Sequence, residues 1–170
     1  DFRGRIINVD NLTYAGNPEN LSGIEASWSG RYLFRKADIC DLRLIRTIFD
    51  EYGIDAVCHF AAESHVDRSI KRPDSFIRTN ILGSFNLLES ARARGGQFRL
   101  FHHISTDEVY GSVAEGHSRE TDELRPRNPY SASKAGADRL AYSYWATYGV
   151  PVIVTRASNN YGSNQFPEKI

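Results

Sequence analysis

Two groups of residues in this chain have the types and spacing to do chemistry. The first is Ser105-Thr106-Asp107-Glu108, a polar cluster at the end of the apolar run Phe98–Ile104. A short apolar run with reactive side chains at its carboxyl end is the pattern of a buried strand in an α/β sheet. The second is Tyr130 and Lys134, four residues apart and directly after Pro129, a good helix starter. Ala132, Ala135, Gly136 and Ala137 follow without a strong breaker, so phenol and ammonium fall on one helix face. A phenol with an ordinary pKa near 10 cannot act as a base at neutral pH unless a nearby cation stabilises its phenolate. Lys134 is placed to do that.

Ordinary explanations compete with each of these. A Thr-Asp-Glu alone is more often a turn or a helix cap, and a Tyr and Lys at i,i+4 are usually a solvated helix face. Asp10, at the end of another predicted strand, could be only a strand-terminating turn residue. His59, His65, His102 and His103 include no pair that shares helical spacing with a third ligand, so no metal site is expected. Cys40 and Cys58 have no metal-type spacing and suit small core positions in a reduced, cytoplasmic protein.

The elements that would position these groups alternate along the chain. Arg5–Asp10, Tyr32–Phe34, Ala56–Phe60, Phe98–Ile104 and Val152–Thr155 read as strands. Between them, Asp41 reads as the N-cap of a helix carrying Leu42, Ile45, Ile48, Phe49 and Tyr52 up to Gly53. Pro73 opens a long helix with Ile77, Ile81, Phe85 and Leu88 along one face, ended by Gly95-Gly96. The helix of Tyr130 and Lys134 extends to about Tyr148, and Asn11–Ser22 and Ser112–Arg127 read as polar, irregular stretches. This alternation predicts a doubly wound parallel sheet of Rossmann type, with ligands beyond the carboxyl ends of the strands. Polar clusters follow the predicted strands at Asp10, Asp38, Ala61–Ser64, Thr106–Glu108 and Ala157–Asn160. No glycine-rich phosphate turn occurs in the 170 residues, so we expect the first βα unit to precede them. The charge balance, 21 basic against 21 acidic side chains, argues against a nucleic-acid binder, and no apolar run is long enough for a membrane helix.

Several stretches carry a family resemblance. Tyr130-Ser-Ala-Ser-Lys134 resembles the YxxxK pair of the extended short-chain dehydrogenase/reductase superfamily, and Thr106-Asp107-Glu108 resembles the triplet of its nucleotide-sugar 4,6-dehydratases. Asp10–Asn17, His59–Ile70 and Ser158–Gly162 are similar to the branch that acts on dTDP-sugars, and the likeness runs through essentially the whole chain. The resemblance implies NAD-dependent conversion of dTDP-glucose to a 4-keto-6-deoxy sugar. C4 is oxidised, water is eliminated across C5 and C6, and hydride returns to C6.

Carried over, the catalytic set is Thr106, Asp107, Glu108, Tyr130 and Lys134, with Glu108 as base at C5 and Asp107 as acid for the C6 hydroxyl. The NAD contacts fall on Asp10, Asn11, Leu12, Thr13, Asp38, Ile39, Phe60, Ala61, Ala62, Ser64 and Thr79, with Tyr130, Lys134 and Asn160 near the nicotinamide. Ser64, Thr106 and Asn159 would face the sugar. The resemblance also implies a homodimer built on the helices Pro73–Arg94 and Tyr130–Tyr148, with Tyr142, Tyr144 and Trp145 expected at an exposed interface. Residues 1–170 would be part of an NAD-binding domain, with a sugar-nucleotide lobe starting after about residue 158. Asn11 stands where many relatives have Lys, and Ser163-Asn164 replaces a usual Pro-Tyr. Another sugar-nucleotide enzyme (UDP-sugar dehydratase, epimerase or decarboxylase) or a non-catalytic NAD-binding homologue are the alternatives; a C4 epimerase has no need of the Asp-Glu pair.

Overall fold

The computed structural model describes residues 3–28 and 30–166. They form two compact units, Asp1–Asp38 with Asn160–Ile170, and Ile39–Asn159. In the first unit, β1 (Ile6–Asp10), the short α1 (Ile24–Ser27) and β2 (Tyr32–Lys36) are the regular elements, with a 3-10 turn at Pro18–Leu21. That turn lies inside the stretch expected to be irregular; Asn17 caps it by accepting the Glu19 N–H at 3.0 Å. β1 and β2 pair in parallel, Ile6 opposite Tyr32 and Asp10 opposite Lys36.

In the second unit, α2 (Leu42–Tyr52) begins where its sequence signals place it. The Asp41 carboxylate accepts the Leu44 N–H at 3.0 Å, and Gly53 ends the helix at φ 62°. Ile45, Ile48 and Phe49 are its buried stripe. β3 (Ala56–His59) follows, then α3 (Val66–Lys71), a short helix that begins just beyond the polar cluster Ala61–Ser64. α4 (Pro73–Phe76) and α5 (Ser84–Ala93) are joined by a π-wound segment, Ile77–Gly83. β4 (Leu100–Thr106) runs into a 3-10 turn at Asp107–Tyr110, and α6 (Pro129–Tyr148) precedes β5 (Val152–Ala157). The three strands form a parallel sheet in the order β3-β4-β5. Parallel pairing sets the residues that follow each strand along one edge, where such sheets bind ligands.

The rod Pro73–Ala93 turns a different face to the core from the one its apolar spacing predicts. Phe76, Asn80, Gly83, Ser84, Leu87 and Ala91 are buried with Leu88, while Ile77, Leu82 and Phe85 stay exposed. Gly83 packs so tightly that a Cβ would overlap the Ile39 side chain. The wider winding of the π segment displaces the helical register, and small and polar residues form the contact face.

Asn80 is the centre of a buried hydrogen-bond set. Its Oδ1 accepts the Glu63 N–H at 2.8 Å, and its Nδ2 donates to the Glu63 carbonyl at 2.9 Å and to Ser133 Oγ at 2.8 Å. Ser133 Oγ donates onward to the Tyr130 carbonyl at 2.7 Å. Ser84 Oγ donates its one hydrogen to the Asn80 carbonyl at 2.6 Å, so His59 Nε2 carries the hydrogen it gives Ser84 at 2.8 Å.

On β4, Phe101, His103 and Ser105 are buried, and α6 packs on β4 and β5. His103 lies 5.4 Å from His59 between ring centroids. Burial holds both imidazoles neutral: His59 is well below its ordinary value, and His103 is lowered to about 3, with the Lys134 ammonium adding to the effect on both. A depressed folded pKa means that the unfolded chain binds more protons between about pH 6.5 and about pH 3. Stability is therefore full above that window and falls as pH drops through it. Thermal melts at pH 7 and pH 5 should show the loss, and His103→Leu should flatten the slope; an unchanged slope in that variant would mean the imidazole protonates freely in the fold.

Candidate active site

The polar end of β4 is organised by capping. Thr106 keeps extended backbone, and its Oγ1 accepts the Glu108 N–H at 3.3 Å, which starts the Asp107–Tyr110 turn. Gly111 closes it at φ 83°, donating its N–H to the Glu108 carbonyl at 3.1 Å. A Cβ at Gly111 would overlap the Arg125 carbonyl oxygen, so glycine is required there on two counts. Asp107 is exposed and Glu108 half-buried. Asn128 Nδ2 donates to Glu108 Oε2 at 3.4 Å. The Oδ1 of the same Asn128 accepts the Ser131 N–H at 2.7 Å and caps α6 in a capping box. One side chain thus links the Glu108 carboxylate to the helix that carries Tyr130.

Tyr130 and Lys134 both lie on the buried side of α6, 8% and 6% exposed, as their spacing predicts. The Tyr130 hydroxyl is hydrogen-bonded to Thr106, and the Phe76 ring meets the phenol edge-on at 6.3 Å. The expected lowering of the phenol by Lys134 is not what the geometry gives. Burial raises Tyr130, and the carboxylates of Glu108 and Asp107 push the same way against the Thr106 hydrogen bond. The ammonium is turned to the strand, where Nζ donates to the Ile104 carbonyl at 2.6 Å. Burial brings Lys134 down to about 8, with the Asp138 carboxylate opposing the shift.

The other residues named from the sequence fall into separate settings. After β3, Phe60 is 70% exposed, Ala61 is exposed, and Ala62 and Ser64 are half-buried. Asn80 holds this loop through Glu63, and Thr79 stands half-buried beside it. Asn159 is exposed after β5. Ile39 is buried with its side chain against Gly83, and its carbonyl accepts Asn86 Nδ2 at 2.9 Å. In the first unit, Asp10 ends β1, Asn11, Leu12 and Thr13 follow it, and Asp38 follows β2, on the same edge of that pair. Asp10 does make the local turn that its bland reading anticipated, since Oδ1 accepts the Leu12 N–H at 2.6 Å. Asn160, in the same unit, is exposed. Sequence reasoning missed Asn80, Asn128, Tyr110, Asp138 and Arg156. The Asn128-Pro129 pair was a readable cap signal; an amide inside the apolar helix at Asn80 was the other clue.

With this geometry in view, comparison with known proteins is decisive about the family. The sequence model described as GDP-mannose 4,6 dehydratase matches residues 4–170. The chain belongs to that family. Within reach of the GDP-mannose 4,6 dehydratase family model it is 52% identical to a dTDP-glucose 4,6-dehydratase of Neisseria meningitidis serogroup B, covering 99% of this chain and 49% of the relative. A crystal structure of a dTDP-glucose 4,6-dehydratase from Streptomyces venezuelae with NAD bound superposes with a TM-score of 0.91 at 47% identity, over 97% of this chain and 49% of that one. A UDP-glucose 4-epimerase of Thermus thermophilus in complex with NAD gives 0.84 at 32% identity, over 95% and 49%. The chain spans about half the length of the curated relatives it matches.

The site makes its own prediction for Lys134. In protein labelled with 13C-lysine, its side-chain resonance should titrate with a midpoint of about 8. A midpoint near the ordinary lysine value of about 10.4 would mean that the ammonium is not buried as described.

Proposed function

We propose that the full-length protein is an NAD-dependent dTDP-glucose 4,6-dehydratase, acting as a cytoplasmic homodimer. The observation that carries this reading is the meeting of Thr106, Asp107 and Glu108 with Tyr130 at one end of β4 and α6. A phenol alone serves oxidation at a carbinol; a carboxylate pair beside it serves removal of a proton and of water.

Each unit by itself carries residue types that suit part of a dinucleotide. In the first unit, carboxylates stand at the ends of both parallel strands, Asp10 exposed and Asp38 half-buried, as acceptors for ribose hydroxyls. In the second, Ser64 and Thr79 offer half-buried hydroxyls, and Tyr130 and Lys134 a buried phenol and ammonium. When bound, NAD supplies a hydride acceptor for C4 and a hydride donor for C6. Tyr130 takes the C4 hydroxyl proton, and Thr106 holds the oxygen at C4. Lys134 offsets the phenolate charge once its ammonium turns from the Ile104 carbonyl. The C4 ketone acidifies C5–H, which Glu108 removes, while Asp107 gives a proton to the departing C6 hydroxyl. Adjacent carboxylates take such opposite roles when their surroundings differ, and here one is exposed and the other is half-buried against Asn128. Ser64 and Asn159 are the further sugar contacts in this reading. A C4 epimerase would use Tyr130, Lys134 and Thr106 alone, so the carboxylate pair favours dehydration.

The steps separate by mutation in the full-length enzyme. Tyr130→Phe should slow C4 oxidation by about two to four orders of magnitude, the usual cost of losing a general base. Glu108→Gln should still oxidise dTDP-glucose, accumulate reduced cofactor and stop C5 exchange with solvent. Asp107→Asn should exchange C5 but lose the C6 hydroxyl slowly. Absorbance of the reduced cofactor and deuterium uptake at C5, in single turnover, read these out. Wild-type NADH formation in Tyr130→Phe, or normal C5 exchange in Glu108→Gln, overturns the roles; turnover of a UDP-sugar in preference to dTDP-glucose overturns the substrate.

Cys40 and Cys58 are not joined in a disulfide, which fits a reducing compartment. No helix among the described residues is long and apolar enough to cross a membrane. For the dimer, Ile77, Ile81, Leu82, Phe85 and Leu140 line an open apolar cleft of about 610 Å³ between the π-wound rod and α6. Tyr142 and Trp145 are half-exposed on α6, whereas Tyr144 is 5% exposed and donates its hydroxyl to Glu89 at 2.7 Å, so it is a core residue rather than the exposed one expected. Phe85→Asp in the full-length enzyme should sediment as a monomer at micromolar concentration where wild type sediments as a dimer; a dimeric variant would move the interface elsewhere.

A further inference from the structure

The second unit concentrates buried charge at a place that the reaction above does not use. Asp138, one turn beyond Lys134 on α6, has no exposure. Arg156 of β5 meets it with a fork: Nε donates to Oδ2 at 2.8 Å and Nη2 to Oδ1 at 2.9 Å. Arg139 adds two more donors from the surface, Nη2 at 2.7 Å and Nε at 3.3 Å, both to Oδ1. The remaining nitrogen of Arg156, Nη1, donates to the Tyr110 hydroxyl at 2.6 Å and to the Glu120 carbonyl at 3.3 Å. Its guanidinium also stands 5.2 Å from the centre of the Tyr110 ring. Tyr110 is the last residue of the four-residue turn whose first two residues are Asp107 and Glu108.

A buried ion pair is a poor way to gain stability, because desolvation offsets most of the attraction; its best-attested use is to fix one arrangement among several. Here the arrangement fixed is that of a very short turn. The turn is tied at its start by Thr106 Oγ1 to the Glu108 N–H. It is tied again where the Arg125 N–H donates to the Val109 carbonyl at 2.9 Å. Its far end is held by Arg156, from the strand that pairs directly with the one feeding the turn, Ser105 opposite Arg156 and Thr106 opposite Ala157. The Tyr130 backbone and Lys134 are anchored by other bonds, through Asn80 and Ser133 and through the Ile104 carbonyl, and the Tyr130 hydroxyl meets the turn only at its Thr106 start, away from Tyr110. Asp107, Glu108, Tyr110 and Arg156 all border one cleft of about 750 Å³.

We infer that Arg156, locked by Asp138, is a positioning residue for Asp107 and Glu108: through the Tyr110 hydroxyl it sets the direction in which the turn presents the two carboxylates. It governs elimination across C5 and C6 and leaves C4 oxidation alone. This inference rests on the dehydratase reading. A shift of about an ångström in an acid or base can cost on the order of a hundredfold, so the effect is measurable.

The test uses the full-length enzyme with dTDP-glucose. Tyr110→Phe, which keeps the ring and removes only the hydroxyl, should leave single-turnover C4 oxidation within about twofold and slow C5 exchange and water loss by about ten- to a hundredfold. Reduced cofactor then accumulates, and the pH profile of C5 exchange shifts while that of oxidation does not. Arg156→Lys, which keeps the charge and loses the fork, should show the same split more strongly. A purely structural role would lower the melting temperature and move both steps together. Unchanged elimination in Tyr110→Phe, or equal loss of oxidation and elimination there, overturns the inference while wild-type dehydration stands. A wild type that dehydrates no dTDP-sugar overturns the functional reading first, and this inference with it.

Discussion

The second unit hangs on one buried amide. Asn80 satisfies both backbone groups of Glu63 and the Ser133 hydroxyl of α6, and its own carbonyl takes the Ser84 hydroxyl that His59 of β3 supports. A loop after a strand has backbone groups that water must otherwise satisfy. By meeting them inside the protein, Asn80 gives the stretch after β3 the same reference point as Tyr130. Truncating it would strand several buried partners at once, and a stranded partner costs more than a hydrogen bond contributes. The π winding is what brings this amide into the core; a regular helix with the apolar stripe inward would bury Ile77 and Phe85 in its stead.

The electrostatics around Tyr130 follow from the same burial. Low polarity disfavours a phenolate and an ammonium alike, so Tyr130 is raised and Lys134 lowered, each toward its neutral form. The two ions formed side by side are less costly than either alone, since each screens the other from a medium that does not solvate it. In the proposed reaction, the 2.6 Å bond from Lys134 to the Ile104 carbonyl is therefore the contact exchanged when the phenol gives up its proton. The fold holds the pair with the ammonium satisfied by a backbone oxygen until then.

Much of this could be read before any coordinates. The strand-end cluster at Thr106–Glu108, the Tyr130–Lys134 spacing and the Asp41 and Gly53 helix boundaries rest on local rules, and local rules survive folding. The orientation of Lys134 could not be read, because spacing fixes a helix face and not the carbonyl that competes for the ammonium. The core face of Pro73–Ala93 escaped for a different reason. Hydrophobic periodicity assumes that the apolar face is buried, and here it lines an open cleft while Asn80, Gly83 and Ser84 pack inward. Tyr144 was misjudged by type: an aromatic on an apparent surface stripe is buried once its hydroxyl has Glu89 to bond.

The carboxylates are held on a frame of their own. α6 fixes the phenol and the ammonium, but Asp107 and Glu108 belong to a turn too short to have packing of its own. Such a turn takes its geometry from whatever grips its ends. At one end that is a threonine cap, and at the other a tyrosine hydroxyl held by a guanidinium that a buried aspartate has locked in two-edged contact. Asn128 links the two frames, capping α6 with its oxygen and meeting Glu108 with its nitrogen, and Thr106 links them again, capping the turn and bonding the Tyr130 hydroxyl. In the proposed reaction, oxidation and elimination would draw on two sets of groups that meet at Asn128 and Thr106. The far end of the turn, held by Tyr110 and Arg156, is the part that has no bond to the phenol, so in such a reaction it is where the elimination geometry would be set.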